Sequence, residues 1–378
     1  MFGNWNYPTT ILIGDGKLGV LKKLCDERQL KRIFFVTDKN ILDLPIIQQL
    51  LSDFNVYKNS ENIFFDVNPN PSEIDLKNGL EKFKAGSFDC VVSIGGGSVI
   101  DIGKLIAFMS TQNKSVWFFE DGTNNWKKAD ISFVPNIAIP TTSGTGSEVG
   151  RASVIVNKSS LQKKIIFHPK IMPEIVISDP QIALNMPSQV TASTGIDAFV
   201  HCFEAYCSKI FHPLSQGIAV EGMKICKINL PIAFEKPNNI EARLFMMAAS
   251  IMGATSFQKG LGAIHAMSHP IGAIYDCPHG LINGILLPHI LKLNKPAIEK
   301  KVLDLCNYLK IDNGFYGFCD FIDEIKTKLK LPNTFKEINI SIKDIDFIVK
   351  SSFEDPSMIT NPVKPKQKDL FAIIEKCI

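Results

Sequence analysis

The sequence predicts an α/β amino-terminal domain followed by an all-helical carboxy-terminal domain. Before residue 180, short β-branched or aromatic runs alternate with longer amphipathic stretches, which is typical of a largely parallel sheet covered by helices on both faces. After Asp179 and Pro180 the strand patterns stop and helical patterns continue. A chain of 378 residues is also long for one core. We therefore expect one domain over residues 1–183 and a second over residues 184–378.

The individual elements follow from hydrophobic periodicity and from Gly and Pro punctuation. Strands are predicted at residues 33–37, 62–67, 90–94, 136–139 and 174–178, with helices between them at 16–29, 43–54, 73–85 and 98–109. In the second half, helices are predicted at 187–206, 214–228, 240–255, 297–309 and 368–376. Residues 353–366 are predicted to be a loop, with a helix closing the chain after it.

Composition argues against several classes of function. The 41 Lys and Arg nearly balance the 38 Asp and Glu, so neither a nucleic acid nor a membrane surface is indicated as a partner. Nine cysteines without a CxxC pair are typical of reduced core thiols rather than of a disulfide framework. The amino terminus does not resemble a secretory signal, and no apolar run is long enough to span a membrane. The sequence therefore predicts a cytoplasmic protein.

Residues 260–289 contain four of the seven histidines, set among small and apolar residues. His265 and His269 are one helical turn apart and would share a helix face, and His279 follows after a break at Asp276 and Pro278. Each histidine by itself is more simply explained as a hydrogen-bonded core residue. Three within fifteen residues instead indicate a metal site, which needs three or four protein ligands.

A second pair of candidate ligands lies in residues 191–206. Asp197 and His201 are four residues apart on a predicted helix, so their side chains point the same way. An aspartate buried among apolar residues is costly unless a positive charge neutralises it. An aspartate with several histidines forms a mixed oxygen and nitrogen site suited to Fe²⁺ or Zn²⁺ rather than to Mg²⁺ or Ca²⁺.

Two polar loops follow predicted strands. Residues 90–104 form an apolar strand, the turn of Gly95, Gly96, Gly97 and Ser98, and a helix, an arrangement in which free helix amides can bind a phosphate. The turn is not GxGxxG and could also be purely structural. The loop at residues 140–148, PTTSGTGSE, places hydroxyl groups at the end of another strand. Two such loops at strand ends fit the crevice where open α/β sheets bind nucleotides.

Asp38 stands at the end of the first predicted strand. An acidic side chain at such a position can accept a hydrogen bond from a ribose hydroxyl and repel a 2′-phosphate. Asp38 can equally cap the next helix. Position alone leaves both interpretations open.

With these motifs together, the sequence resembles the iron-containing (group III) alcohol dehydrogenase family over essentially its whole length. The resemblance rests on GGGSVID with Lys104, on PTTSGTGSE, on the spacing of Asp197, His201, Glu204 and Tyr206, and on HAMSHPIGAIYDCPHG. It implies the dehydroquinate synthase-like fold, with a dinucleotide-binding domain, a helical metal-binding domain and an active site in the cleft between them. A homodimer is also typical of the family.

Residue by residue, the resemblance divides the histidines differently from spacing alone, which pairs His265 with His269. It implies that His269 faces the nicotinamide and substrate. The implied metal ligands are Asp197, His201, His265 and His279. The implied cofactor contacts are Asp38, Asn70, Gly96, Gly97, Ser98, Thr141, Thr142 and Lys163. Asp38 matches the position whose acid favours NAD over NADP. Arg151 lies where the family varies and could contact an anionic substrate or pair with a carboxylate such as Glu148.

The implied activity is hydride transfer between a short-chain primary alcohol or diol and NAD, with Fe²⁺, or alternatively Zn²⁺, lowering the pKa of the alcohol. His269 is the candidate for accepting the alcohol proton. The runner-up is a metal- and NAD-dependent lyase or cyclase of the dehydroquinate synthase-like type, whose sugar-phosphate substrate would require Lys and Arg around the metal segments. A non-catalytic metal- or nucleotide-binding protein is the third possibility, and the complete ligand set disfavours it.

Overall fold

A computed structural model describes residues 5–7, 9–58, 60–160 and 162–378. The chain divides into two compact units. One comprises Tyr7–Thr142 and Gly146–Met186, and the other is built on Pro187–Ile378 and also includes Ser143–Thr145. The loop predicted from PTTSGTGSE is therefore shared between the units.

The first unit contains all the described strands. They are β1 Thr10–Ile13, β2 Ile33–Val36, β3 Ile63–Phe64, β4 Cys90–Gly95, β5 Asn136–Pro140, β6 Ala152–Asn157, β7 Gln162–Phe167 and β8 Ile175–Ser178. Its helices are α1 Leu21–Glu27, α2 Lys39–Leu42, α3 Pro45–Asp53, α4 Glu73–Ala85, α5 Gly97–Met109 and α6 Pro180–Ala183. The five predicted strands are confirmed, with bounds that differ by one residue except for β3, which is shorter than predicted, whereas β1, β6 and β7 were missed.

Six of the strands form one parallel sheet in the order β1, β8, β5, β4, β2, β3, and β6 and β7 form a separate antiparallel hairpin. Alternate strand residues pack on opposite faces: Phe35 and Val92 belong to one apolar cluster, and Phe34 and Val91 to the other. Burial on both faces explains why these strands are nearly continuous apolar runs. The chain returns from β3 at the sheet edge to β4 in the middle, and such a switch in strand order opens a binding crevice at the carboxyl ends of the strands.

The second unit is helical, as predicted. Its helices are α7 Ser188–Cys207, α8 Pro213–Glu235, α9 Ile240–Ser256, α10 Ala263–Tyr275, α11 His279–Leu309, α12 Gly314–Lys328, α13 Ile345–Glu354 and α14 Gln367–Cys377. They surround one large apolar core. The predicted loop at 353–366 was only partly right, because it contains the 3₁₀ helix Pro356–Thr360 and α13 ends inside it. None of the helices in the described ranges combines the length and apolar character needed to cross a membrane.

Candidate functional site

Helix α7 places an acid and a histidine on one buried face. Asp197 and His201 are one turn apart, and both side chains are almost completely buried. His201 Nδ1 lies 4.0 Å from Asp197 Oδ1. A carboxylate so far from solvent needs positive partners, and these come from the neighbouring helices.

Two histidines from α10 and α11 converge on the same aspartate oxygen. His265 lies near the start of α10, and His279 is the first residue of α11. The turn between the helices contains Asp276 in the left-handed conformation. The Nε2 atoms of His265 and His279 each lie 3.8 Å from Asp197 Oδ1. One ligand atom from each of these three residues lies within 4.8 Å of the other two, which is compatible with a shared metal ion.

His201 stands beside this group of three. Its ring stacks on that of His265 with centroids 4.5 Å apart and planes at 22°. Its Nδ1 is buried and has no hydrogen-bond partner within the described ranges. A buried ring nitrogen without a partner is unusual, and a metal ion is one group that would satisfy it.

The charges of the site favour a cation. Burial opposes ionisation of Asp197, but attraction to His201, His265 and His279 outweighs it and holds the pKa of this carboxyl well below its usual value. Burial lowers the pKa of His201 to about 4, so this ring is neutral and can act as a ligand. Burial also opposes the charged form of His265, but hydrogen bonds to Asp197 and Glu204 raise its pKa to about 9. One carboxylate and three imidazoles make a donor set that fits Fe²⁺ or Zn²⁺.

Glu204, one turn beyond His201 on α7, holds His265 in place. Its Oε2 lies 2.7 Å from His265 Nδ1, which leaves Nε2 turned toward Asp197. The same carboxylate accepts hydrogen bonds from the backbone amides of Gly262 at 2.9 Å and Ile264 at 2.7 Å. It therefore caps the start of α10 and orients a ligand of the site, as outer carboxylates commonly do for metal-binding histidines.

Asn283 orients the aspartate. Its Nδ2 donates to Asp197 Oδ1 at 2.7 Å and lies 3.5 Å from His265 Nε2. It follows His279 by one turn on α11, so both side chains face α7. This close approach of α11 to α7 depends on Gly280, because a Cβ there would lie only 1.9 Å from the Ser193 carbonyl oxygen.

His269 is next to the group but has a different partner. Its ring stacks on that of His279 with centroids 5.6 Å apart and planes at 11°. Its Nδ1 lies 2.8 Å from Asp355 Oδ2, on the segment that follows α13. His265 and His269 therefore share a helix without sharing a partner.

The glycine turn in the other unit ends β4 and begins α5. Gly96 is the N-cap residue and makes no side-chain capping bond, so the first amides of this 13-residue helix are available to an anion. Ser98 Oγ donates to the Pro69 carbonyl, which brings the segment of Asn70 to the turn. Thr142 lies on the other side, with its side chain 3.5 Å from the position of a Cβ on Gly96. Gly96, Gly97, Ser98, Asn70 and Thr142 thus lie around one turn.

The PTTSGTGSE loop is held at both ends. Thr141 follows β5, and its amide donates to the Gly95 carbonyl at 3.0 Å, while its buried hydroxyl has no partner among the described residues. Lys104 anchors the far end through Ser147, with Nζ 2.9 Å from its carbonyl oxygen. In the helical unit, Gly144 packs against α7 so closely that a Cβ would lie 2.7 Å from the Thr194 carbonyl oxygen.

The two remaining predicted cofactor contacts, Asp38 and Lys163, lie on other elements of the first unit. Asp38 caps α2, and both capping hydrogen bonds, from the amides of Asn40 and Ile41, go to Oδ1. The capping interpretation is therefore confirmed, and Oδ2 is not used by the cap. Lys163 lies in β7, opposite Val156 of the hairpin.

Arg151 lies 5.7 Å from the centre of the Phe167 ring. Within the described ranges no ion pair links it to Glu148. The proposed pairing with that carboxylate is therefore not supported.

Sequence reasoning assigned no role to Glu204, Asn283 or Asp355. For two of them the sequence contained a signal. Glu204 lies seven residues after Asp197, and Asn283 lies four residues after His279, and both spacings keep the two residues on one helix face. Asp355 had none, since it lies 86 residues from His269 in a segment predicted to be a loop.

Both halves of the chain match family models. Residues 8–180 match "Iron-containing alcohol dehydrogenase", and residues 191–378 match "Fe-containing alcohol dehydrogenase family, C-terminal".

Three relatives illustrate the match. The chain is 29% identical over 381 residues to 4-hydroxybutyrate dehydrogenase of Cupriavidus necator, covering 98% of each chain. The solved structure of a 1,3-propanediol oxidoreductase matches with a TM-score of 0.93 at 27% identity, covering 100% of both chains. A sulfoacetaldehyde reductase from Bifidobacterium kashiwanohense, solved in complex with NAD⁺, matches with a TM-score of 0.90 at 28% identity, covering 100% of this chain and 99% of the other.

Proposed function

The chain belongs to the iron-containing alcohol dehydrogenase family, and from this premise we propose which of its residues carry out the reaction. It is an NAD-dependent, metal-dependent alcohol dehydrogenase and aldehyde reductase. The observation that supports our assignment most strongly is the convergence of three imidazoles on one buried carboxylate oxygen of Asp197. Because both halves of the chain match dehydrogenase models, we favour this activity over the lyase or cyclase.

We propose Asp197, His201, His265 and His279 as the ligands of the metal, which is Fe²⁺, with Zn²⁺ as the alternative. The metal supplies Lewis-acid polarisation of the substrate oxygen when it is bound. The protein contributes the rest: Glu204 and Asn283 keep His265 and Asp197 in their ligating orientations, and the side chains of Asp197, His201 and His265 are almost completely buried away from water. Exclusion of water strengthens every electrostatic interaction within the site.

We propose that NAD binds at the carboxyl ends of the sheet strands. Gly96, Gly97 and Ser98 would bind the pyrophosphate through the amides of α5. The other proposed contacts are Asn70, Thr141, Thr142, Lys163 and Asp38. Oδ2 of Asp38, which the helix cap does not use, would accept a hydrogen bond from a ribose hydroxyl, and the negative charge of the carboxylate would repel the 2′-phosphate of NADP.

The proposed substrate is a short-chain primary alcohol or diol, or the matching aldehyde. When bound, NAD would supply the acceptor for the hydride of the carbinol carbon, and His269 would take up the hydroxyl proton of the substrate. His269 suits this role because it adjoins His279 while its own hydrogen-bond partner is Asp355. We further propose a cytoplasmic homodimer in which residues 1–183 bind the dinucleotide and residues 184–378 bind the metal.

The test is a spectrophotometric NADH screen over primary alcohols, diols and short aldehydes. The protein is reconstituted separately with Fe²⁺ and Zn²⁺, and Asp197→Asn, which leaves a neutral amide at the centre of the site, is the matched control. We expect metal-dependent turnover on at least one substrate and none with the control. No metal-dependent change in NADH with any substrate would refute the proposal.

A further inference from the structure

Asp355 is the hydrogen-bond partner of His269, and it comes from a distant part of the chain. Its Oδ2 lies 2.8 Å from His269 Nδ1, and both side chains are largely buried, with 13% and 16% of their surface exposed. An ionised carboxylate can only accept a hydrogen bond. The proton must therefore be on Nδ1 in the neutral ring, which leaves Nε2 as a bare acceptor.

Asp355 is itself held firmly. Its other oxygen, Oδ1, accepts from the amide of Ser357 at 2.8 Å and so caps the 3₁₀ helix that follows. At the far end of that helix, Thr360 Oγ1 donates to the Leu261 carbonyl at 2.7 Å, and Asn361 Oδ1 accepts from the Ala263 amide at 3.0 Å. The segment after α13 is thus connected to α10 at two places, at the start of the helix and at His269.

The charge state agrees with this arrangement. Burial alone would raise the pKa of Asp355, but attraction to His269 and the hydrogen bonds from His269 and Ser357 outweigh it and keep the pKa below its usual value. Asp355 therefore remains an anion beside His269. An anion on Nδ1 also stabilises the ring after it has gained a proton on Nε2.

We propose that Asp355 is a positioning residue that fixes the orientation and tautomer of His269, so that Nε2 is free to accept the substrate hydroxyl proton. The inference rests on the proposed function of His269. In the oxidation direction, the O–H bond breaks and a new N–H bond forms at Nε2, while the hydride and its electron pair go to NAD⁺. Asp355 keeps its own charge throughout and takes up no proton.

Two substitutions separate this role from the capping role. In Asp355→Asn, the amide oxygen can still accept from Ser357, but the NH₂ group faces His269 Nδ1 and favours the opposite tautomer, with Nε2 protonated. Asp355→Ser keeps a good capping oxygen but is too short to reach the ring. We expect each to lower kcat by about 100-fold, at the lower end of what a general base contributes, with KM and bound iron close to those of the wild-type protein.

The decisive measurement is a double-mutant cycle with His269→Ala. If Asp355 acts only through His269, adding Asp355→Asn to His269→Ala slows turnover no further. A merely structural aspartate would lower the rate by the same factor in both backgrounds. Asp369→Asn is the matched control, because Asp369 also accepts a backbone amide, that of Lys366 at 2.8 Å, but at the start of α14. It should leave kcat unchanged.

The possible failures are distinguishable. A wild-type protein and control that show no metal-dependent NADH turnover would refute the proposed function itself. An active wild-type protein whose Asp355→Asn and Asp355→Ser variants stay within about twofold in kcat, or whose effects multiply with His269→Ala, would overturn the role of Asp355. If the asparagine variant does not fold, the serine variant supplies the same comparison.

Discussion

Replacing Glu204 with glutamine should weaken metal binding while leaving the fold intact. In the native protein this carboxylate accepts hydrogen bonds from His265 Nδ1 at 2.7 Å and from the amides of Gly262 and Ile264. Glutamine has nearly the same shape, and its single oxygen can still cap α10. Its NH₂ group would face either His265 Nδ1 or a backbone N–H group. Both are hydrogen-bond donors when His265 Nε2 is available to ligate a metal, so one hydrogen bond is lost.

The magnitude follows from the bond that is lost. A hydrogen bond to a charged group contributes about 1.5–3 kcal/mol, and about 1.4 kcal/mol corresponds to a factor of ten in affinity. We therefore expect Fe²⁺ or Zn²⁺ to bind about 10- to 100-fold more weakly, in the range typical of losing an outer-shell partner. Activity should return at high metal concentration, because the ligands themselves are unchanged.

The assay is a competition titration against a chromophoric chelator, together with the metal content of the purified protein. Tyr206→Phe is the matched control: it removes a partly buried hydrogen bond from the same helix, that of the Tyr206 hydroxyl to the Lys301 carbonyl at 2.7 Å, without changing the proposed ligands. If Glu204→Gln binds metal as tightly as the control, Glu204 does not orient His265 for ligation, and the reasoning is wrong.

Three further predictions concern backbone contact, pH and cofactor choice. Gly280→Ala should lower the unfolding free energy by about 2 kcal/mol or more, because the new Cβ meets a backbone oxygen. Gly217→Ala is the control and should not lower it, because the space around Gly217 is open. Equal stability of the two variants in urea unfolding would contradict the prediction. Burial raises the pKa of Glu148 from 4.5 to about 7, so the folded state binds more protons than the unfolded state between these pH values, and stability falls as pH rises through them. Glu148→Gln should therefore be more stable than the wild-type protein by up to about 3 kcal/mol at pH 8, but not near pH 4. A melting temperature that is unchanged by the substitution at pH 8 would count against this prediction. Asp38→Ser should keep the helix cap while raising the ratio of NADP to NAD turnover, and an unchanged ratio would remove Asp38 from the ribose contacts.

Much of the fold could be predicted from the sequence because the local patterns that mark its buried strands are strong. The buried strands β2, β4 and β5 are nearly continuous apolar runs bounded by turn residues, and the glycines after β4 mark the point where the strand ends and α5 begins. The hairpin of β6 and β7 was missed because its second strand, QKKIIF, begins with three polar residues and is only partly buried. Edge strands of that kind have weak periodicity and are stabilised by pairing with a neighbour.

The different roles of His265 and His269 could not be assigned from their spacing. Spacing alone pairs His265 with His269, since both lie on one face of α10, and only resemblance separated them. In the structure, His265 Nε2 faces Asp197, and His269 Nδ1 faces Asp355. Both partners lie on other elements, 68 and 86 residues away, so no local pattern could have identified them.

The sequence by itself determined the buried strands and most of the helices between them, the presence of a parallel sheet followed by a helical unit, and the types of side chain available for a metal and a nucleotide. These depend on periodicity and on residue chemistry, which are local properties. Only the tertiary structure decided that Glu204 and Asn283 orient two proposed ligands and that Asp355 orients His269. Such contacts join helices distant in sequence, and they form because packing a common core brings buried polar groups together where each must find a partner.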